Sequence, residues 1–172
     1  MGKGIGGHTK TYRGKSDDWI TPKFIFDALG EFDLDPCASL TQPWTSAKQS
    51  FTLLNDGLSK DWLDRVWLNP PYGPETSKWL SKLANHNNGI ALVFARTETK
   101  MFFRYVWPKA HSLLFIEGRL FFHYPDGKKG EDNAGGPSVL IAYGQENGET
   151  LRKSNIKGAW VDNHYFPANI KM

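Results

Sequence analysis

The sequence predicts a mixed α/β fold built on a largely parallel sheet, and three observations carry that prediction. Helix-like and strand-like stretches alternate from Thr21 to Ile116. The run Ile90 to Ala95 is apolar throughout, as a strand covered on both faces must be. Late in the chain, two strand-like stretches, Arg119 to Tyr124 and Pro137 to Tyr143, flank a Gly-rich polar segment, the composition of a long antiparallel hairpin at the edge of the sheet.

The elements follow in order. Thr21-Pro22 is a helix start, with Thr21 as N-cap and Pro22 at the first helical position, where its missing N–H does no harm. Phe24 with Ala28 and Ile25 with Leu29 then pair at i, i+4 until Gly30 stops the helix. Phe32 to Asp35 reads as a short strand ended by Pro36, and Ser50 to Leu54 as a strand before the turn signal Asn55-Asp56-Gly57. Arg65 to Leu68 is a buried strand that runs into Asn69-Pro70-Pro71-Tyr72-Gly73. Pro74 to Ala84 is helical, with Trp79, Leu80 and Leu83 along one side, Glu98 to Trp107 is a further helix, and Ser112 to Ile116 a strand. Residues 153 to 172 are poorly periodic and read as a surface-packed extension; no internal repeat is visible.

Composition narrows the class. A chain of 172 residues, 40% apolar and 23% charged, suits one domain with a sizeable core. The formal net charge is +3, but residues 1 to 16 hold Lys3, Lys10, Arg13 and Lys15 and no acid, which leaves −1 for residues 17 to 172. Glycines interleave those cations, so residues 1 to 16 are expected to form a flexible basic arm ahead of a single domain over 17 to 172. No run approaches the roughly 18 to 20 apolar residues of a membrane helix, and Met1 to Lys15 lacks the apolar stretch of a signal peptide, so the expectation is a soluble cytoplasmic protein. The lone Cys37 and five scattered His offer neither an internal disulfide nor metal-ligand spacing. Seven Trp, six Tyr and eleven Phe are unusually many; most must fill the core, and the surplus also suits stacking on bases.

Val66-Trp67-Leu68-Asn69-Pro70-Pro71-Tyr72-Gly73 is the most informative segment. A buried strand that ends in Asn-Pro-Pro-aromatic sets a side-chain amide and a neighbouring carbonyl at the carboxyl edge of a parallel sheet, where α/β proteins bind ligands. The prolines stiffen the turn and supply no N–H, so the surface offers acceptors and an aromatic platform. A planar exocyclic amine fits such a surface. Asn69 Oδ1 and the Pro70 carbonyl can each accept one of its N–H groups while Tyr72 stacks on the ring. An ordinary turn also uses Asn, Pro and Gly; the combination of hydrophobic strand, NPPY and following helix is what sets this segment apart.

The chain resembles the phage-type Dam family of DNA N6-adenine methyltransferases from about Trp19 to Tyr143. Six blocks stand in the family's order: Trp19-Ile20-Thr21-Pro22 with Ile25-Phe26; Phe32-Asp33-Leu34-Asp35-Pro36-Cys37-Ala38; Asn55-Asp56-Gly57-Leu58 with Trp62; Asn69-Pro70-Pro71-Tyr72-Gly73; Ala95-Arg96-Thr97-Glu98-Thr99 with Phe102-Phe103; and Gly118-Arg119-Leu120 with Phe122, followed by Pro137-Ser138-Val139. The resemblance implies a class I (Rossmann-like) methyltransferase fold with a small or absent target-recognition domain, encoded by a phage or prophage and working in the bacterial cytoplasm, within methylation of the restriction-modification kind. It implies transfer of a methyl group from S-adenosylmethionine to N6 of an adenine flipped out of double-stranded DNA, in GATC or with relaxed specificity, with no obligate protein partner. By the same resemblance, Asn69, Pro70, Pro71 and Tyr72 form the catalytic turn. Thr21, Pro22, the loop Asp35, Pro36, Cys37, Ala38 and Ser39, then Asp56 and Asn69 bind the cofactor, and Phe122 covers the second face of the base. DNA phosphates fall to Arg96, Lys100 and Arg104, to the arm with Lys10 and Arg13, and to Lys128 and Lys129.

Departures from the pattern are specific. The turn after the first strand carries no Gly, and no acidic residue stands between Ser39 and Leu54 to hold ribose hydroxyls, so Asp35 or a backbone group must substitute. Ile20 and Asn55 stand where the family often has Tyr and Asp. Three alternatives are set against this reading. Pro36-Cys37 evokes a cytosine-C5 nucleophile but follows the wrong strand; protein-glutamine and RNA-guanine methyltransferases share NPPY but normally carry a Gly-rich cofactor turn; and a DNA-binding decoy would have lost the cofactor.

Overall fold

The computed structural model describes residues 19–163, in which a seven-stranded sheet is covered by helices on both faces. The arm expected over residues 1 to 16 and the end of the C-terminal extension lie outside the described residues. The chain runs α1 (Lys23–Leu29), β1 (Leu34–Asp35), β2 (Gln49–Ser50), β3 (Val66–Leu68), α2 (Thr76–His86), β4 (Gly89–Phe94), a π-helical turn (Phe102–Val106), β5 (Ser112–Ile116), β6 (Ser138–Tyr143), α3 (Gln145–Lys153) and β7 (Gly158–Asp162).

The strand order is β2-β1-β3-β4-β6-β5-β7. β1 pairs in parallel with β2 and β3, and β3 with β4; β6 runs antiparallel to both β4 and β5, and β7 antiparallel to β5. The first half of the sheet is therefore parallel. Between β1 and β3 the connections depart toward opposite edges, and such a switch point opens a crevice at the carboxyl ends of the strands.

Side chains alternate across the sheet as a doubly covered strand requires. Val66, Leu68, Ala91, Val93, Leu113, Val139, Ile141 and Tyr143 face one layer with Trp79, Leu80 and Leu83 of α2 and Phe102 and Val106 of the π-helical turn. Trp67, Ile90, Leu92, Leu114, Leu140 and Ala142 face the other, with Ile25 and Leu29 of α1 and Leu151 of α3. Asn163 ties the end of β7 to this framework, donating to the carbonyls of Trp107 and Ala110 at 2.9 and 2.8 Å.

Several expectations are corrected. The expected hairpin does not form: Pro137 to Tyr143 becomes the interior strand β6, and Arg119 to Tyr124 joins no ladder, its His123 making only isolated bridges to Ile20 and Lys129. Leu120 and Phe122 nevertheless point into the second core, so an extended segment lying on the core displays the same alternation as a strand. The N-cap position of α1 is Pro22 rather than Thr21, and Pro22 has no polar side chain with which to cap; the Thr21 hydroxyl instead accepts from Asn69 Nδ2. The strand expected at Ser50 to Leu54 stops at Ser50. The helix expected over Glu98 to Trp107 narrows to a π-helical turn in which the Trp107 N–H reaches the Phe102 carbonyl at 3.0 Å. Part of the supposed C-terminal extension is the edge strand β7, preceded by α3.

Candidate active site

Three segments converge where β1 and β3 end. After β1, Asp35 is 5% exposed, and its Oδ1 accepts the Cys37 N–H at 3.1 Å. Burial pushes its carboxyl up to about 6, while the Ser46 hydroxyl and then the Cys37 N–H favour the charged form. The Ala38 N–H donates to the Phe51 carbonyl, and Phe51 in turn donates to the Asp35 carbonyl, both at 2.8 Å, so this loop is held against the strand that follows. Gly57 closes it from outside: a Cβ there would stand 1.9 Å from the Pro36 carbonyl oxygen, which only glycine avoids. Asp56, one residue earlier, is exposed on a turn at φ 46°.

After β3 comes the Asn69–Gly73 turn. Its Asn69 Nδ2 donates to the Thr21 hydroxyl at 3.3 Å, which orients the amide and leaves Oδ1 buried with no hydrogen-bond partner among the described residues. A buried acceptor without a donor costs free energy, about 1–3 kcal/mol as a general magnitude, and such atoms mark places where a ligand group is to be supplied. Thr21 is placed by its own neighbours, through the Trp44 Nε1–H bond to its carbonyl at 3.0 Å and the backbone bridge between Ile20 and His123. The Cys37 thiol donates to the Asn69 carbonyl at 3.2 Å and links the two loops. Burial and the neighbouring Asp35 carboxylate push that thiol well above its usual range, the reverse of what activates a cysteine nucleophile.

Thr76, at the start of α2, pins the turn from below, and sequence reasoning did not single it out. Its hydroxyl donates to the Pro71 carbonyl at 2.7 Å and accepts the Gly73 N–H at 2.9 Å. The available signal was a hydroxyl residue three positions beyond Gly73, where a helix begins. Thr76→Val should lower unfolding free energy by about 1–2 kcal/mol by orphaning both groups. It should also slow turnover tenfold or more by loosening the turn. Urea unfolding and initial rates measure the two effects, and a variant with unaltered rates would disprove the role.

Tyr72 stands at the rim, 43% exposed, with its ring stacked on Phe94 at a centroid distance of 4.4 Å and an interplanar angle of 19°. Arg96, Lys100 and Arg104 are exposed on the segment after β4, which runs parallel to β3 and so ends on the same edge of the sheet. Lys128 pairs with Asp126 at 3.2 Å, and Lys129 lies over the Phe121 ring at 4.2 Å. Phe122 is placed differently from its neighbours in the expected site: it is 6% exposed and packed with Leu120 and Ala134 in the second core, so its ring offers no free face to a base. Lys10 and Arg13 lie outside the described residues.

Fold and site together define an α/β protein in which a buried carboxylate and an amide-bearing NPPY turn follow adjacent parallel strands at the switch point of the sheet. The chain belongs to the DNA N-6-adenine-methyltransferase (Dam) family, whose model matches residues 8–157. Membership implies methylation of adenine N6 in DNA, with S-adenosylmethionine as the methyl donor. No curated protein and no solved structure matches the chain. No helix among the described residues is long and apolar enough to cross a membrane.

Proposed function

We propose that the carboxyl-end edge at the switch between β1 and β3 is the active site, that the protein flips adenine out of double-stranded DNA there, and that Asn69, Pro70, Pro71 and Tyr72 present N6 for methylation. The observation that carries this reading is the Asn69 Oδ1, buried without a donor and fixed by Thr21 beside an exposed aromatic face. Bound adenine supplies the missing donor. One N–H of its amine goes to Asn69 Oδ1 and the other to the Pro70 carbonyl, which draws lone-pair density out of ring conjugation, while Tyr72 stacks on the purine. No strong general base is required, because the proton can leave after attack, and catalysis is chiefly positioning and electrostatics.

The residues present also fit the cofactor. Asp35 is a buried carboxylate that accepts the Cys37 N–H and lies beside the Ser46 hydroxyl, and its two oxygens have acceptor capacity beyond these for hydroxyl or ammonium donors. In this reading Asp35 takes the place of the ribose-holding acid, with Thr21, Pro22, the Pro36–Ser39 loop and Asp56 around it. When bound, S-adenosylmethionine supplies an electrophilic methyl on a sulfonium. The sheet is read as a class I methyltransferase fold, and the switch between β1 and β3 supports this. Arg96, Lys100 and Arg104 neutralise DNA phosphates beside the turn, and Lys10 and Arg13 are assigned the same task from charge alone. GATC is the target favoured by family membership.

Incubation with methyl-labelled S-adenosylmethionine and unmethylated DNA, followed by nucleoside analysis, tests the assignment. N6-methyladenine in the digest is expected, and sequencing of modified sites reads the specificity. Label in protein or RNA alone, or DNA binding with no methyl transfer, would overturn it.

A further inference from the structure

β4 reaches further along the sheet than its neighbour β3. Leu68, the last residue of β3, pairs with Ala91, and β4 continues through Leu92, Val93 and Phe94. At about 3.3 Å per residue, Phe94 stands roughly 10 Å beyond that pair, level with the turn that follows β3. There it meets Tyr72 face to face, 4.4 Å between centroids and 19° between planes.

Phe94 is itself backed. A Cβ on Gly136 would stand 3.2 Å from Phe94 Cδ1 and 3.4 Å from its Cγ, closer than side chains ordinarily pack. Gly136 has no left-handed φ, so what it contributes is room for the ring rather than a turn conformation. Backbone bonds hold the arrangement, since the Ala95 N–H donates to the Pro137 carbonyl at 2.8 Å and Phe94 pairs with Ser138. Tyr72, by contrast, sits on an exposed rim followed by Gly73 at φ 151°, and the Phe94 ring is the aromatic plane stacked on it.

We infer that Phe94, seated on Gly136, is a positioning residue that fixes the plane of Tyr72, so that one face of Tyr72 is occupied and the other is left for the flipped purine. The base then enters as the third plane of a stack whose first two planes are already assembled, and less ordering is left for binding to accomplish. This rests on the assignment of Tyr72 as the base platform.

Steady-state methylation of unmethylated DNA by Phe94→Leu, Phe94→Tyr and Gly136→Ala tests the inference, with calorimetric titration of S-adenosylmethionine as the measure of an intact cofactor site. Phe94→Leu should raise KM for DNA about five- to tenfold, the scale of one lost aromatic stack. It should change kcat less, with cofactor affinity within twofold of the parent protein. Phe94→Tyr keeps the plane and should restore KM. Gly136→Ala presses on the ring without touching Tyr72 and should shift KM in the same direction as Phe94→Leu. Unaltered KM in Phe94→Leu, or a defect that Phe94→Tyr fails to rescue, overturns the inference. Should Phe94→Leu fail to fold, unaltered KM in Gly136→Ala overturns it instead. If Asn69→Ala retains methyl transfer, the assignment of the turn itself has failed; if Asn69→Ala is inactive while the Phe94 variants behave as the parent, only the positioning role has.

Discussion

Asn69→Ala should abolish methyl transfer while leaving the protein as stable as it was. The expected loss in turnover is a factor of about a hundred to a thousand, the scale seen when one preorganised hydrogen-bonding group is removed from a site that orients reacting atoms. The stability side follows from what Asn69 does in the free protein. Its Oδ1 has no partner among the described residues, so deleting it removes a desolvated acceptor rather than a bond, and its Nδ2 gives up only a 3.3 Å contact with the Thr21 hydroxyl. The backbone carbonyl that receives the Cys37 thiol remains. Net change in unfolding free energy should stay within about 1 kcal/mol. A residue that served as an ordinary turn former would show the opposite pair of results, with stability lost and activity spared. Rates on unmethylated DNA beside a urea unfolding curve distinguish the two, and substantial activity in the variant would end the assignment.

The parts of the fold that can be read from the sequence are those whose burial leaves a mark on composition. β3 and β4 are interior strands with both faces covered, so Val66 to Leu68 and Ile90 to Ala95 appear as unbroken apolar runs, and the NPPY turn stands directly behind the first of them. β6 carries the same mark, since all six residues of Ser138–Tyr143 are buried. An edge hairpin would have left one face polar, so the run itself argued for an interior strand. Its partners β4 and β5 are fixed by packing across distant segments, which local pattern does not encode. At the other extreme lie β7, an edge strand with no buried residue, and α3, where Leu151 is the one large apolar side chain buried. Such elements hold their place through pairing with β5 and contact with β6 and leave almost no periodic trace.

The site divides in the same way. Asn69 and Tyr72 are carried by a motif whose chemistry can be argued from residue types. Thr76 and Phe94 act on that motif through contacts that only the folded chain creates. Phe122 shows the converse: an aromatic in a plausible segment whose side chain the core has already claimed.

Asp35→Asn should stabilise the protein at neutral pH and weaken its hold on S-adenosylmethionine. The folded carboxyl titrates at about 6 against 3.8 for the ordinary side chain, burial being the main cause. Between those values the folded state binds more protons than the unfolded state. Stability therefore falls as pH rises through the window from about 4 to 6, and above it the full penalty is present. A difference of about two pKa units corresponds to at most about 3 kcal/mol. Asparagine keeps an oxygen for the Cys37 N–H and carries no charge to desolvate, so the variant should be more stable at pH 7, with the gain vanishing below pH 4. Cofactor binding should move the other way. A carboxylate accepting hydroxyl or ammonium donors makes charge-assisted bonds of about 1.5–3 kcal/mol, so affinity should drop roughly ten- to hundredfold. Because those donors favour the ionised form, the parent protein's affinity should rise with pH through about 6, and the variant's should stay flat. Thermal unfolding and calorimetric titration at pH 4, 5.5 and 7 measure both trends. A buried carboxylate that destabilises the free protein is retained in a site when a ligand needs it, so a variant with parental stability and parental affinity at all three pH values would remove Asp35 from the cofactor site.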